Sequence, residues 1–155
     1  MSRAFVKEQD GGEAFEDLPD RPVSPHPNLV TPEGLRAIEE TVERLRREHG
    51  DAQAAGDRPT VARTARDLRY WQHRLSNAEV VQPSADAQTV HFGATVTIER
   101  DDGRKQTWRI VGEDEADPAH GTLPHVAPLA QALLGKSVGD TVEAGHGEAE
   151  IIAIG

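Results

Sequence analysis

Eight arginines between residues 44 and 74 are the side chains whose type and spacing most suggest chemistry. A guanidinium group binds phosphate through paired hydrogen bonds, so a surface that collects several of them can attract RNA. Residues 31–78 also contain eight acidic residues, so an ordinary solvated helix surface is the alternative interpretation, and both stay open. The cluster comprises Arg44, Arg46, Arg47, Arg58, Arg63, Arg66, Arg69 and Arg74.

The sequence lacks the usual residue patterns of a catalytic centre. It contains no cysteine, which excludes a thiolate nucleophile and a zinc-thiolate site. Its seven histidines show no H-x-x-x-H or similar spacing, and neither a glycine-rich phosphate loop nor a G-x-S-x-G sequence is present. We therefore predict that the chain is not an enzyme and binds no metal or cofactor of its own.

Length and charge limit the function further. The 155 residues leave room for one ordinary domain or two small ones, and the net charge of −10 argues against a protein that mainly coats nucleic acid. Residues 79–155 hold only five basic residues against thirteen acidic ones, which predicts an acidic module beside the arginine-rich one. Because there is no long apolar run and the N-terminus is charged, we predict no membrane span and a cytoplasmic location.

Residues 31–79 have the pattern of an antiparallel helical hairpin. Thr31 can cap a helix that begins at Pro32, and Gly56 can end it. The pattern predicts two helices, roughly residues 32–55 and 59–78, whose narrow apolar stripes are typical of a coiled coil. The first stripe is Leu35, Ile38, Val42 and Leu45, and the second is Val61, Ala65, Leu68, Trp71, Leu75 and Ala78.

The flanking segments differ from the hairpin in composition and in the pattern of apolar residues. Residues 1–30 are rich in Gly, Pro and acid and predict a flexible acidic tail, and residues 80–86 predict a linker. Residues 87–155 alternate as strands do and include one short helix near residues 129–134, which predicts a small antiparallel sheet. The fold class predicted for the whole chain is therefore α+β. An acidic loop, residues 113–117, lies between two of these segments.

Five segments, taken in order, resemble the bacterial transcription elongation factors of the GreA/GreB family, and together they span about residues 31–155. Thr31-Pro32-Glu33-Gly34-Leu35 resembles the start of that family's coiled coil, and Leu75-Ser76-Asn77-Ala78-Glu79-Val80-Val81 resembles its end. Phe92-Gly93-Ala94-Thr95-Val96-Thr97, Arg109-Ile110-Val111-Gly112-Glu113-Asp114-Glu115-Ala116-Asp117 and Pro128-Leu129-Ala130-Gln131-Ala132-Leu133-Leu134-Gly135-Lys136 resemble parts of its C-terminal domain.

The resemblance implies a coiled coil followed by an FKBP-like C-terminal domain, and a partner, RNA polymerase. The C-terminal domain of the family binds the rim of the polymerase secondary channel, and two acids at the coiled-coil tip help hold Mg²⁺ at the polymerase active site. Nucleic acid would be met only indirectly, inside the transcription complex, and we expect a monomer. The implied polymerase-binding residues are Glu113, Asp114, Glu115, Asp117, Pro128 and Leu129, and the implied channel-facing basic residues are Arg58, Arg63 and Arg66.

The tip departs from the family pattern, which is Gly-Asp followed by an acid three residues later. Gly56 and Asp57 match, but Thr60 stands at the third position, and only Asp51 on the opposite helix offers a substitute. Both helices are also shorter than the family's by about ten residues, which reduces the reach by roughly 15 Å. We therefore expect a polymerase-binding regulator with weak or absent cleavage stimulation. A cleavage factor that acts through Asp57 and an adaptor for another protein are the alternatives.

Overall fold

The protein is described by a computed structural model that covers residues 18–155. These residues form two compact units. One unit contains residues 18–25 and Ala37–Asn77, and the other contains His26–Arg36 and Ala78–Gly155. The helices are α1 (Pro32–Ala55), α2 (Arg58–Ser76) and α3 (Pro128–Leu133), with a 3₁₀ turn at Pro118–His120. The strands are β1 (Leu29–Val30), β2 (Glu79–Val80), β3 (Thr95–Arg100), β4 (Lys105–Val111), β5 (Thr122–Pro124), β6 (Thr141–Glu143) and β7 (Glu148–Ile154).

The helical hairpin confirms the two helices expected from the sequence. Gly56 ends the first helix with a positive φ of 67°, which a residue without a side chain adopts easily. Near this turn the helices are joined by a salt bridge of 3.2 Å between Arg63 and Glu48, and by a hydrogen bond of 2.8 Å between His49 Nδ1 and Thr64 Oγ1. None of the described helices is long and apolar enough to span a membrane.

The buried positions of the hairpin match the sequence prediction better in α1 than in α2. Ile38, Val42 and Leu45 are buried in α1, as the apolar stripe predicts. In α2 the predicted stripe residues are only partly buried. The fully buried positions there are instead Ala62, Thr64 and Arg74. A stripe of large apolar residues therefore predicted the existence of α2 correctly, but not the residues that it buries most deeply.

The C-terminal sheet has five strands in the order β5-β4-β3-β7-β6. Its pairs are antiparallel, except that β4 and β5 run parallel. The α+β fold class is confirmed, but the sheet is mixed rather than purely antiparallel, because the loop and 3₁₀ turn between β4 and β5 reverse the chain direction twice. The core combines the sheet with α3, and its most buried members are Val96, Ile98, Ile110, Ala130, Leu133 and Ile151.

The segment before the first helix is structured where the structure describes it. Leu29 and Val30 form β1 and pair in parallel with Glu79 and Val80 of β2. The predicted tail therefore ends before residue 29, and the predicted linker begins after Val80. Both boundaries differ from the prediction because β1 and β2 are defined by backbone hydrogen bonds to each other. Strands of two residues carry no local sequence signal. The part of the predicted tail that covers residues 1–17 lies outside the described residues.

Residues 18–25, which we call the strap, belong to the same compact unit as the hairpin. The guanidinium group of Arg69 on α2 contacts the Asp20 carboxylate at 2.6 Å and the Leu18 carbonyl at 3.1 Å. In return, the guanidinium carbon of Arg21 lies 4.0 Å from the centre of the Tyr70 ring. Residues 18–21, which the sequence analysis assigns to a flexible tail, therefore contact α2 in the structure.

Candidate functional site

The acidic loop and the start of α3 leave the C-terminal sheet at the same edge. Strands β4 and β5 are parallel neighbours, and Val111 at the end of β4 is the register partner of Pro124 at the end of β5. The carboxyl ends of parallel strands meet at one edge, so the acidic loop after β4 and Pro128 after β5 both start from that edge. The two groups of predicted polymerase-binding residues are thus brought together by the sheet topology.

Glu115 has a different environment from the rest of the acidic loop. Its Oε1 accepts hydrogen bonds from the backbone N–H groups of Thr31 at 3.1 Å and Gly112 at 3.0 Å. Its Oε2 accepts a hydrogen bond of 2.7 Å from the Thr31 hydroxyl. All three donors lie in the unit that contains the sheet, and we call this arrangement the Glu115 clamp. The carboxylate is half-buried.

The Glu115 clamp completes the cap of α1. The Gly34 N–H donates to the Thr31 hydroxyl at 3.0 Å, which is the normal contact of a capping threonine. In a capping box, a glutamate at the position of Gly34 would accept from the backbone N–H of the capping residue. Here Gly34 has no side chain, and Glu115 performs that role from 84 residues away in sequence.

The other acids of the loop are placed differently. Asp117 is exposed and its carboxylate lies 2.6 Å from His120 Nδ1, while Glu113 and Asp114 are half-buried. Pro128 is exposed as the first residue of α3, and Leu129 packs against the sheet core. Of the residues predicted to bind polymerase, Asp117 and Pro128 are therefore the most accessible.

Glu33 adds a further acid to this unit, in the first turn of α1. Its carboxylate lies 3.5 Å from the Arg109 guanidinium, whose Nε donates to the Gly93 carbonyl at 3.2 Å. The pKa of Glu33 is lowered, first by its own backbone N–H and then by the Thr31 side chain, and the charge of Arg109 contributes less. Glu33 therefore stays ionised to lower pH than an ordinary glutamate.

The hairpin tip presents one acid in a capping role. The Asp57 carboxylate accepts a hydrogen bond of 3.3 Å from the Thr60 N–H, so Asp57 caps α2. Asp51 is exposed on the last part of α1. Within residues 18–155, no group of three or more His, Asp or Glu side chains is arranged to hold a metal ion. The tip alone therefore has a single carboxylate at the position where the resemblance places a pair.

Two of the three basic residues predicted to face the channel form ion pairs within the hairpin, although they share their carboxylates with other arginines. Arg63 forms salt bridges with Glu48 at 3.2 Å and Asp67 at 3.7 Å, and Arg66 contacts Asp67 at 3.3 Å. Arg58 is exposed at the start of α2. The structure thus supports the solvated-surface interpretation for Arg63 and Arg66 more than for Arg58.

Comparison with known proteins places the chain in a family. Residues 85–154 match the family model described as transcription elongation factor, GreA/GreB, C-term. The chain is 41% identical over 131 residues to transcription elongation factor GreA of Alkalilimnicola ehrlichii, with 79% of this chain and 82% of that protein covered. The chain belongs to the GreA/GreB family of transcription elongation factors.

Other members of the family show similar coverage. Transcription elongation factor GreA of Paracoccus denitrificans is 39% identical over 136 residues, covering 82% of this chain and 84% of the relative. Transcription elongation factor GreB of Neisseria meningitidis serogroup B is 34% identical over 151 residues, covering 82% and 93%. The chain is thus similar to both GreA and GreB proteins of the family.

The clamp of Glu115 is the feature of this Gre-family chain that sequence reasoning missed. Glu115 was grouped with the loop acids by its position, and nothing local distinguishes it from Glu113. The available signal was at Thr31, where a capping threonine is followed at the third position by Gly34 rather than by Glu or Gln. A capping box without its acid indicates that the acid is supplied from elsewhere in the fold.

Proposed function

We propose that this Gre-family chain regulates transcription by binding RNA polymerase at the secondary channel, with little or no stimulation of transcript cleavage. The binding surface is the sheet edge from which the acidic loop and Pro128 emerge. Asp117 and Pro128 are exposed there, so they can reach a partner without any rearrangement. The family membership supports polymerase as that partner, and the chemistry of cleavage would remain that of the polymerase.

The contact between Asp57 and Thr60 is the observation that supports little or no stimulation of transcript cleavage. Thr60 occupies the position of the second tip acid, and its N–H is bonded to the only acid that remains. Mg²⁺ is held by charged oxygen ligands in enzyme active sites, and a threonine hydroxyl supplies no charge. A single capping aspartate on shortened helices is therefore a poor assistant for a metal at the polymerase centre.

A factor with this structure would act by occupying the binding site at the channel rim. Binding at the channel rim would exclude other factors that use the same site, including cleavage-competent members of the family. The acidic surface favours a basic patch on the partner, because complementary charge raises the rate of encounter. This predicts that binding weakens as salt concentration rises, since exposed charges are screened within about 8 Å at physiological ionic strength.

The test combines binding with cleavage. Affinity for core RNA polymerase is measured first, and transcript cleavage is then measured in a deliberately backtracked complex with the wild type and Asp57→Ala. Binding, competition against a cleavage-competent Gre factor, and no cleavage above the factor-free rate are expected. Asp57→Asn is the matched control, since it keeps an acceptor for the Thr60 N–H and removes only the charge.

Two outcomes would contradict the proposal in different ways. Cleavage that is lost in both Asp57 variants would show that the chain is a cleavage factor that acts through this aspartate. No binding to polymerase would indicate an adaptor that has kept the fold and changed its partner. In that case the exposed residues of the sheet edge, Asp117 and Pro128, remain the first positions to mutate in a search for the partner.

A further inference from the structure

We infer that Glu115 is a positioning residue that holds the acidic loop in its binding conformation through Thr31, and that it makes no contact with the polymerase. This inference rests on the proposed function for its partner, but the clamp itself is observed in the free chain. It separates Glu115 from Asp117, to which the sequence assigned the same role. Both residues are acids of one loop, but Glu115 would act by positioning the loop and Asp117 by contacting the polymerase.

The hydrogen bonds of Glu115 leave it little capacity for a partner. Three donors surround the carboxylate, two at Oε1 and one at Oε2, and each is 3.1 Å away or closer. The single proton of the Thr31 hydroxyl is used as well, because it is donated to Glu115, and the same oxygen accepts from the Gly34 N–H. Thr31 is only 1% exposed, so it cannot touch a polymerase.

Two glycines leave the space that the clamp needs. A Cβ on Gly34 would lie 2.6 Å from the carboxyl carbon of Glu115, and a Cβ on Gly112 would collide with the Leu29 carbonyl oxygen. Neither glycine has a positive φ. Both positions therefore require space rather than an unusual backbone geometry: Gly34 leaves room for the Glu115 carboxylate, and Gly112 leaves room mainly for the Leu29 carbonyl.

The clamp determines how the acidic loop begins. The Gly112 N–H is bonded to Glu115 at 3.0 Å, and the Ala116 N–H is bonded to the Gly112 carbonyl at 3.1 Å, so the turn is closed by its own side chain and backbone. Thr31 anchors the same carboxylate from the side of α1. Without these bonds the loop would sample other conformations, and binding would be weakened by the fraction of molecules that are not binding-competent.

The experiment compares Glu115→Gln, Thr31→Val and the double variant with Asp117→Asn, which removes the same charge from the same loop. A glutamine places an amide NH₂ where the Glu115 Oε2 atom accepts from the Thr31 hydroxyl, so the hydroxyl proton loses its acceptor. We expect Glu115→Gln and Thr31→Val each to weaken polymerase binding about five- to tenfold, corresponding to one or two lost hydrogen bonds. The double variant should be no weaker than either single variant, because both remove one clamp.

Conservative substitution and amide exchange distinguish positioning from direct contact. Thr31→Ser keeps the hydroxyl and should bind like the wild type. Hydrogen exchange in the free proteins should be faster at the Gly112 amide in Glu115→Gln and Thr31→Val, but unchanged in Asp117→Asn. Circular dichroism establishes that each variant is folded at the temperature of the binding measurement.

The outcomes separate this inference from the proposed function. If Thr31→Val binds normally while Glu115→Gln binds weakly, Glu115 contacts the polymerase directly and the inference is overturned. Unchanged exchange at Gly112 in both variants would overturn it as well. If the wild type does not bind polymerase at all, the proposed function fails, and the positioning role for polymerase binding fails with it. Faster exchange would then still establish the clamp as a property of the free chain.

Discussion

At the scale of single residues, the sequence around Thr31 contains half of a capping box. The capping role of Thr31 and the helix start at Pro32 could be predicted because both depend on neighbouring residues. The carboxylate that completes the cap could not, since Glu115 lies 84 residues away and is brought there only by the fold. The same reason explains why Glu115 was predicted to bind polymerase together with Asp117.

Substitution of Gly34 tests the space around the clamp. Gly34→Ala should lower the free energy of unfolding by about 1–3 kcal/mol, because the new methyl group overlaps Glu115 and breaks its partly buried hydrogen bonds. Gly50→Ala is the matched control, since a Cβ at Gly50 in the same helix meets no atom of residues 18–155 within 4 Å. It should raise stability by about 0.5–1 kcal/mol through helix propensity. Urea denaturation measures both, and equal effects of one sign would contradict the clamp.

Asp102 gives a prediction on pH dependence at a single turn. The Arg104 backbone N–H donates to Asp102 Oδ1 at 3.0 Å, and the Arg104 side chain donates to Oδ2 at 2.6 Å. The pKa of Asp102 is therefore lowered from its ordinary value of 3.8, first by the backbone bond and then by the side chain. An NMR titration of the Asp102 carboxyl should show a midpoint below 3.8, and Arg104→Ala should move it upward without restoring it fully.

The sign of the stability effect follows from this shift. The folded state holds Asp102 ionised more strongly than the unfolded state does, so its contribution is complete above pH 3.8 and is lost as pH falls through the folded pKa. The difference in Tm between the wild type and Asp102→Asn should therefore be present at neutral pH and vanish at strongly acidic pH. A difference that grows on acidification would contradict the assignment. The effect is small, since Asp102 is fully exposed.

At the scale of elements, the length of a segment decides how much the sequence could predict. Helices α1 and α2, with 24 and 19 residues, repeat their pattern often enough to be recognised, and their bounds were predicted to within about two residues. Strands β1, β2 and β5, with two or three residues, carry no period. Their pairing, including the parallel β4–β5 contact, depends on the rest of the fold and could not be predicted locally.

The strap supplies a prediction about an element that the sequence described as flexible. A spin label on Val23→Cys reports on it cleanly, because Val23 is 40% exposed and the chain has no native cysteine. The label should be restricted in the wild type and become mobile in Arg69→Ala, which removes the contacts to Asp20 and Leu18. Arg44→Ala is the control, since Arg44 pairs with Glu48 on α1. Equal mobility in all three proteins would show that the strap is not held by Arg69.

At the scale of the whole molecule, the charge is divided between its parts in a way that fits the proposed function. Residues 79–155 carry thirteen acidic residues and five basic ones, and Asp117, the exposed acid of the sheet edge, belongs to that part. Residues 31–78 have nearly balanced charge because they contain nine arginines and eight acidic residues. Partner binding is therefore expected to depend on the acidic domain. The hairpin tip is expected to determine whether transcript cleavage is stimulated.

A single substitution can restore the second acid at the tip without changing the length of the hairpin. Thr60→Glu restores an acid three residues after Asp57, and at that position it also faces the positive end of α2, which should stabilise the helix by about 0.3–1 kcal/mol. We expect transcript cleavage to stay at the wild-type level, since on the arm length that the family resemblance implies the new acid would still end roughly 15 Å short. Thr60→Gln is the control, because it has a similar size and no charge.

Matched insertions into both helices separate the two deficits. About eleven residues, or about three helical turns, inserted into α1 and α2 would extend the hairpin by roughly 16 Å and keep its apolar stripes on the same side. Cleavage should appear only when these insertions are combined with Thr60→Glu, because a metal ligand needs both charge and contact distance. Cleavage by Thr60→Glu alone would show that reach is not limiting. Cleavage by the insertions alone would show that Asp57 suffices, and that the loss of the second acid has little consequence.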